Sequence, residues 1–237
     1  MHRLLSTVVV VMIFSITSIA WAEDISPDWH QKIEAYTKAI ESEPQSADAY
    51  FNRGYAYFEL GQYQQALADY TKAIELDPED VSAYTNRGTA YWYLGQYQQA
   101  IADYTKALEL DPENVNAYAN RGLTYENLGQ YQQALADSTK AIEFDPENAS
   151  AYANRGRVYF ELGQYQQALA DFTKAIELDP ENVNAYANRG LTYANLGQYQ
   201  QALADSTKAI ELDPEDAFAY ANRGRAYGNL GQYQQAI

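Results

Sequence analysis

The segment LGQYQQA at residues 60–66 decides the fold of this chain, because the chain repeats it. The same segment returns unchanged at 94–100, 128–134, 162–168, 196–202 and 230–236, so each copy starts 34 residues after the last. Self-similarity at a period of roughly 20–50 residues is typical of a solenoid, whose units share one continuous core. The sequence therefore predicts a repeat array rather than one or two globular domains.

Each period contains the patterns of two amphipathic helices. In the first period, Tyr50, Gly54 and Tyr57 follow one another at i, i+4 and i+7, which places them on one face of a helix. A second set has the same helical spacing: Tyr63, Ala66, Leu67, Tyr70, Ala73 and Ile74. LGQYQQA lies at the junction of the two patterns, and we interpret it as the elbow of a helical hairpin.

Glycine, proline and capping residues mark the ends of these helices. Gly61 follows the first helix, where a residue in the left-handed conformation commonly ends a helix. Gly54 lies inside that helix at a cost of about 1 kcal/mol against alanine, which indicates the close approach of another helix. Pro78 cannot continue the second helix. Good N-caps for the next hairpin follow two residues after each such proline: Ser46, Asp80, Asn114, Asn148, Asn182 and Asp216.

These signals divide the chain into repeat units. Five complete units are predicted at 47–80, 81–114, 115–148, 149–182 and 183–216. A half repeat with a single helix is predicted before them at 23–46, and a truncated sixth unit after them at 217–237.

The pattern of large, small and turn residues resembles the tetratricopeptide repeat signature. In the first complete unit the resemblance is carried by Tyr50, Gly54, Tyr57, Gly61, Tyr63, Ala66, Tyr70, Ala73 and Pro78. It covers residues 28–237 and implies an all-α fold, a right-handed superhelical solenoid of helix-turn-helix hairpins. It also implies that the chain binds other polypeptides.

Every NRG triplet places an arginine at a position that is usually apolar in the tetratricopeptide family. An arginine in a helix interface needs a partner. An aspartate stands 16 residues later in five units. We therefore expect one ion pair across each of these hairpins: Arg53–Asp69, Arg87–Asp103, Arg121–Asp137, Arg155–Asp171 and Arg189–Asp205.

Composition argues against several classes of function. The formal net charge of −16 repels phosphate backbones and anionic lipid, so nucleic acid is not expected as a partner. The chain has no cysteine, and its two histidines, His2 and His30, form no metal-ligating cluster. The glycines are spaced as helix ends rather than as a phosphate-binding loop. We therefore expect no enzymatic activity, no catalytic residue, no metal site and no cofactor.

The N-terminal residues have the pattern of a secretory signal peptide. Arg3 precedes an apolar run at 4–19, and Ala20-Trp21-Ala22 fits an A-x-A cleavage site. We expect a signal peptide at 1–22, export to the periplasm or the medium, and no stable membrane insertion after cleavage. The alternative is an uncleaved N-terminal anchor, because residues 4–21 are just long enough to span a membrane, although hydroxyl side chains in this run weaken that interpretation.

An asparagine precedes each of the six arginines: Asn52, Asn86, Asn120, Asn154, Asn188 and Asn222. In the tetratricopeptide family this position tends to face the concave groove. The series resembles the asparagine ladder of the O-linked N-acetylglucosamine transferase superhelix. An amide both donates and accepts hydrogen bonds, so such a ladder can bracket a peptide backbone without reading side chains. Alternatively, each asparagine bonds within its own helix, and the sequence leaves both interpretations open.

Aromatic residues form a second set of candidates for peptide binding in the groove: Tyr55, Phe58, Trp92, Tyr93 and Phe160. Aromatic side chains often anchor a partner, although at helical spacing they also serve as packing. The family's carboxylate clamp for acidic C-termini needs Lys and Arg at groove positions, but these hold residues such as Phe51, Thr85 and Ala119. Recognition of an acidic C-terminus is therefore not expected.

We predict a protein–protein interaction scaffold that binds an extended polypeptide in its concave groove. The alternative is an architectural spacer or a self-associating subunit of an envelope complex, which the near-identity of the units favours. Near the end of the sequence, Tyr233, Ala236 and Ile237 belong to a second helix that no further unit covers. We interpret this end either as unfinished or as a surface for self-association.

Overall fold

The computed structural model describes residues 28–235, in which all regular elements are α-helices. The predicted signal peptide at 1–22 and the residues Ala236 and Ile237 lie outside the described residues. Tyr233, predicted to belong to a second helix of the sixth unit, lies in a turn after the last described helix. The helices are α1 (Trp29–Ser42), α2 (Ala47–Glu59), α3 (Tyr63–Leu76), α4 (Val81–Tyr93), α5 (Tyr97–Leu110), α6 (Val115–Asn127), α7 (Tyr131–Phe144), α8 (Ala149–Glu161), α9 (Tyr165–Leu178), α10 (Val183–Asn195), α11 (Tyr199–Leu212) and α12 (Ala217–Asn229).

Each helix packs against the next one along the chain, which confirms the predicted all-α solenoid of hairpins. The even-numbered helices also contact one another in sequence, α2 with α4 and so on to α12. No two odd-numbered helices of the described chain contact each other. The even-numbered helices therefore lie closer together and form the inner, concave wall.

Local signals set the ends of these helices as the sequence predicts. All six predicted N-caps accept a backbone N–H of the first helical turn; Asp80, for example, accepts from Ala83 N at 3.0 Å. Gly61 has a φ of +70°, a left-handed conformation that glycine adopts without strain. The interior glycine Gly54 lies against α3, where an added Cβ would be 3.0 Å from Tyr70 Cδ1. The predicted close approach of a second helix is confirmed.

The five predicted Arg–Asp pairs are confirmed, and each arginine also reaches the helix that precedes its own hairpin. In the second unit, Arg87 donates from Nε and Nη2 to the two carboxylate oxygens of Asp103, at 2.7 and 2.8 Å. Its Nη1 donates to Thr71 Oγ1 at 3.2 Å. One arginine on α4 therefore connects α5 of its own hairpin with α3 of the hairpin before it. The same arrangement recurs at Arg53, Arg121, Arg155 and Arg189.

The core between paired helices is built from alanines, which in three of the five hairpins surround one aromatic side chain. That side chain is Tyr70, Tyr104 or Phe172, each fully buried. In the other two hairpins the same position holds Ser138 and Ser206, which are also buried. Ser206 Oγ donates to the carbonyl of Ala202 at 2.8 Å, so its hydroxyl is satisfied within its own helix.

Candidate functional site

A groove with a volume of about 2350 Å³ runs along the concave wall. It extends from Phe58 on α2 to Phe218 on α12, so its lining comes from every complete hairpin. We call it the concave groove. Its position follows from the fold, because the even-numbered helices that form the inner wall present one strip of side chains per unit.

Seven of the predicted site residues line the concave groove. They are the asparagines Asn120, Asn154 and Asn188 and the aromatic residues Phe58, Trp92, Tyr93 and Phe160. The other four, Asn52, Asn86, Asn222 and Tyr55, do not contribute to its lining. The structure thus brings the middle of the predicted asparagine series together with most of the predicted aromatic residues.

The four residues outside the lining have other partners. Asn52 and Asn86 donate to the carbonyls of Asp48 and Ser82, at 2.8 and 2.9 Å, within their own helices. Asn222 is only 4% exposed, and its amide donates to the carbonyl of Ala187 on α10 at 3.2 Å. Tyr55 packs edge-on against Trp29, with 5.7 Å between the ring centroids.

The asparagines that line the concave groove keep unused hydrogen-bonding capacity. Asn188 donates one N–H to the carbonyl of Asn184 at 2.8 Å, and Asn120 donates to Thr89 Oγ1 at 3.5 Å. A side-chain amide has two N–H donors and a carbonyl acceptor with two lone pairs. One bond, within the helix for Asn188 and to α4 for Asn120, therefore leaves a second donor and the acceptor, so the two sequence interpretations do not exclude each other.

The N-terminal part of the concave groove contains an aromatic cluster of Phe58, Tyr63, Trp92 and Tyr93. Tyr63 and Tyr93 are stacked, with 4.7 Å between ring centroids and 15° between ring planes. Phe58 and Trp92 pack edge-on against Tyr93, at 5.4 and 5.1 Å. These rings pack on one another across α2, α3 and α4 and still face the groove. Packing and binding are therefore compatible roles for them.

The middle of the concave groove contains charged residues that sequence reasoning did not select. Arg157 on α8 donates from Nε and Nη2 to the two carboxylate oxygens of Glu126 on α6, at 3.1 and 2.5 Å. Glu161, one turn along α8, also lines the groove. Glu161 is exposed at the groove surface, and partial desolvation there raises the pKa of its carboxyl; the charge of Glu126 raises it further, and Arg157 partly opposes this.

A signal for these charged residues exists in the repeat register. Glu126 occupies the unit position of Phe58, Trp92 and Phe160, all of which the sequence analysis selected. In the same way, Arg157 takes the position of Tyr55, and Glu161 that of Tyr93. A search restricted to aromatic side chains at these positions missed them, whereas a comparison by unit position would have found them.

Metal binding and membrane spanning are two further functions on which the described residues bear. Within 28–235, no group of three or more His, Cys, Asp or Glu side chains is arranged to hold a metal ion. Helices of membrane-spanning length and apolarity are likewise lacking in this part of the chain.

Three family models match the sequence. The model described as "TPR repeat" matches 54–95, 127–163 and 156–197. Two models described as "Tetratricopeptide repeat" match 81–114 and 183–216, and 35–68, 103–136 and 207–237. The chain belongs to the tetratricopeptide repeat family. This family's fold is typical of protein–protein interaction scaffolds, which are generally not enzymes.

Solved structures of tetratricopeptide repeat proteins share the fold. YrrB, described as a TPR protein with an unusual peptide-binding site, is 32% identical, with 79% of this chain and 96% of YrrB covered and a TM-score of 0.62. A tetratricopeptide repeat protein from Parabacteroides merdae is 27% identical over 88% of this chain and 83% of its own, with a TM-score of 0.73. MamA from Desulfovibrio magneticus RS-1 is 25% identical over 72% and 97%, with a TM-score of 0.64. Among curated proteins, none matches this sequence significantly.

Proposed function

We propose that this tetratricopeptide repeat protein is a non-catalytic scaffold that binds an extended polypeptide in the concave groove. The observation that carries the proposal is the combination of amides and aromatic rings along one continuous groove. Amides with spare donors and acceptors suit a peptide backbone, whose N–H and C=O groups need partners when water is displaced. The aromatic cluster offers apolar area to side chains of the same segment. The peptide-binding site named for YrrB lends support by similarity.

Peptide selection followed by a fluorescence titration tests this proposal. A phage library of random peptides of about twelve residues is selected against the mature chain, and the enriched peptides are titrated against it. Trp92 lines the groove and reports binding in a Trp29→Phe background, provided the protein starts at Glu23. Changing Asn120 and Asn154 together to Ala should weaken binding about 5-fold or more, because each lost hydrogen bond is worth about 0.5–1.5 kcal/mol.

The matched control changes two asparagines that lie outside the lining. Asn195 and Asn229 each donate to a carbonyl four residues earlier in their own helix, at 2.9 and 2.8 Å. Changing both to Ala should leave the affinity of a groove ligand unchanged, and circular dichroism should report equal helicity for all variants. If a peptide perturbs Trp92 but binds the Asn120→Ala, Asn154→Ala variant as tightly as the parent, the asparagines do not bind the peptide backbone and the ladder hypothesis is refuted.

A self-associating or architectural role is the second candidate. It is favoured by exposed aromatic side chains at the α12 end of the described chain, where Tyr220 is 44% and Tyr233 67% exposed. We propose this end as the contact surface. Light scattering coupled to size exclusion tests it: the parent chain should dimerise, and Tyr220→Ser with Tyr233→Ser should be monomeric. A monomeric parent at about 100 μM would dismiss this role, since no dimer would exist at that concentration.

Export is the cellular setting we propose for either role. It rests on the basic start, the apolar run and the A-x-A triplet within residues 1–22. Expressed in a bacterium, the chain should be recovered outside the cytoplasm with Glu23 as its first residue. Intact mass separates this from the anchored alternative, in which the chain keeps its first residues and stays with the membrane. If the protein is recovered only in the cytosol and at full length, both export and membrane anchoring are excluded.

A further inference from the structure

We propose that the polypeptide bound in the concave groove is cationic, with lysine or arginine side chains placed against groove carboxylates. This inference rests on the proposed peptide binding and names the chemistry of the partner. Its first observation is a charge imbalance. The groove lining carries six carboxylates from three helices and from the turn before α12: Glu59, Glu126, Glu161, Asp213, Glu215 and Asp216.

The single basic side chain of the lining is already neutralised. Arg157 binds both carboxylate oxygens of Glu126, so the pair adds no net charge to the groove. Within residues 28–235, neither Glu59 nor Glu161 has an ion-pair partner. The raised pKa of the Glu161 carboxyl agrees with the lack of an ion-pair partner. Desolvation and the like charge of Glu126 disfavour its ionised form more than Arg157 stabilises it.

The aromatic cluster is the second, independent feature that suits cations. A cationic head group over an aromatic face gains electrostatic energy, and the methylenes of Lys and Arg pack on the ring. Glu59 follows Phe58 directly, so the cluster and a carboxylate line the same part of the groove. The chain already uses this pairing elsewhere: Lys32 Nζ lies 4.3 Å from the ring centroid of Trp29.

Other occupants fit these charges less well. An acidic segment would place its carboxylates near Glu59 and Glu161, which have no ion-pair partner within residues 28–235, and like charges repel. A second copy of this chain carries the same net charge of −16, which opposes its approach. A neutral apolar segment would cover the aromatic cluster but would desolvate Glu161 without giving it a partner.

Three peptides of about twelve residues test the inference. They share the same Phe, Leu and Pro residues and differ only in carrying lysine, glutamine or glutamate at the remaining positions. Binding to the mature chain is followed through Trp92 in the Trp29→Phe background. At about 50 mM salt the lysine peptide should bind at least about 10-fold more tightly than the glutamine peptide, and the glutamate peptide should bind weakest. At about 500 mM salt the difference should shrink, since salt screens charges.

Two charge-matched double variants locate the effect. Glu59→Gln with Glu161→Gln removes two groove carboxylates and should weaken the lysine peptide about 3- to 10-fold, while leaving the glutamine peptide unaffected. Glu147→Gln with Glu181→Gln removes two exposed carboxylates outside the lining and should change neither affinity.

The outcomes separate this inference from the proposed function. A groove that binds the lysine and glutamine peptides equally well keeps the peptide-binding function and overturns the cationic partner. Equal loss in the groove and control variants also overturns it, because the attraction would then be a property of the whole chain's charge. If none of the three peptides and no peptide from the random library perturbs Trp92, the proposed function itself fails.

Discussion

Arg87 and Asp103 form a bidentate ion pair in which the aspartate is only 6% exposed. Removing the arginine alone leaves a buried carboxylate without its counter-ion, and Thr71 loses its donor as well. We expect Arg87→Leu to lower the free energy of unfolding by about 3 kcal/mol or more. Urea denaturation followed by circular dichroism measures this loss.

A double-mutant cycle distinguishes pairing from packing at this site. Arg87→Leu combined with Asp103→Leu should cost less than the two single changes added together, because the second change removes the orphaned charge. The exposed pair Lys106–Glu109, at 3.1 Å, is the control, and Lys106→Ala should cost less than about 1 kcal/mol. Strict additivity at Arg87 and Asp103 would show that the pair does not hold the hairpins together.

Two helical glycines, Gly88 inside α4 and Gly228 near the end of α12, should respond to alanine with opposite signs. At Gly88 an added Cβ would lie 2.8 Å from Cε1 of Tyr104, a fully buried ring whose hydroxyl donates to Thr89. Gly88→Ala should therefore lose about 1–3 kcal/mol despite its better helix propensity. An added Cβ at Gly228 meets nothing within 4 Å, so Gly228→Ala should gain about 0.5–1 kcal/mol.

Thermal unfolding of Gly88→Ala and Gly228→Ala measures these two effects, and Gly122→Ala provides an intermediate case. At Gly122 the new Cβ would lie 3.3 Å from Ser138 Oγ, where a small side chain replaces the ring. Its effect should therefore be smaller than that of Gly88→Ala. The same loss at Gly88 and Gly122 would mean that the large ring does not set the helix spacing.

The features predictable from this sequence are those determined within one repeat unit. The N-caps, the left-handed Gly61 and the pairing of Arg87 with Asp103 each depend on residues of a single hairpin. Their spacing along the helices fixes their geometry, because a helix places each residue at a known angle and rise. The all-α solenoid follows from repeating that hairpin.

The groove depends on how neighbouring units sit on each other, which spacing alone does not determine. Glu126 and Arg157 meet although they are 31 residues apart in different hairpins. Asn222 occupies the same unit position as Asn154, yet it is buried against α10 while Asn154 lines the groove. Side-chain rotamers and the contact of each hairpin with its neighbour make this difference. The predicted asparagine ladder and the predicted aromatic anchors remain predictions about binding.

Tyr70 and Tyr104 occupy the same unit position but differ in how their hydroxyls are satisfied. Tyr104 donates to Thr89 Oγ1 at 3.2 Å, whereas the buried hydroxyl of Tyr70 has no hydrogen-bond partner among residues 28–235. Phe172, at the same position, fills this space without a hydroxyl. Because an unsatisfied buried hydroxyl is costly, Tyr70→Phe should raise the free energy of unfolding by about 1 kcal/mol.

Tyr104→Phe is the matched comparison and should have the opposite sign, a loss of about 1 kcal/mol, because the hydrogen bond from Tyr104 to Thr89 is lost. Both changes keep the ring, so packing is constant between them. Chemical denaturation of the two variants beside the parent gives the two differences. A loss at Tyr70 equal to that at Tyr104 would mean that the Tyr70 hydroxyl is bonded after all.

Glu161 should make stability depend on pH in a direction set by its surroundings. Burial first, and the charge of Glu126 second, raise the pKa of its carboxyl in the folded chain above the ordinary value. A group with a raised folded-state pKa contributes stability while it is protonated, and this contribution is lost as pH rises through that pKa. At neutral pH we therefore expect the ionised Glu161 to be a small net cost to the fold, because solvent screens this exposed group.

Glu161→Gln should consequently have a higher Tm than the parent at pH 7. The difference should vanish toward about pH 4 and below, where the parent's carboxyl takes up a proton and resembles the amide. Melting curves of both proteins across this range measure it, with Glu147→Gln as the control for losing one exposed carboxylate outside the groove lining. A cationic peptide bound in the groove should reverse the order at pH 7, since the ligand stabilises the parent more than the variant. A Tm of Glu161→Gln below that of the free parent at pH 7 would show that Arg157 already compensates Glu161, leaving the groove no charge to offer a partner.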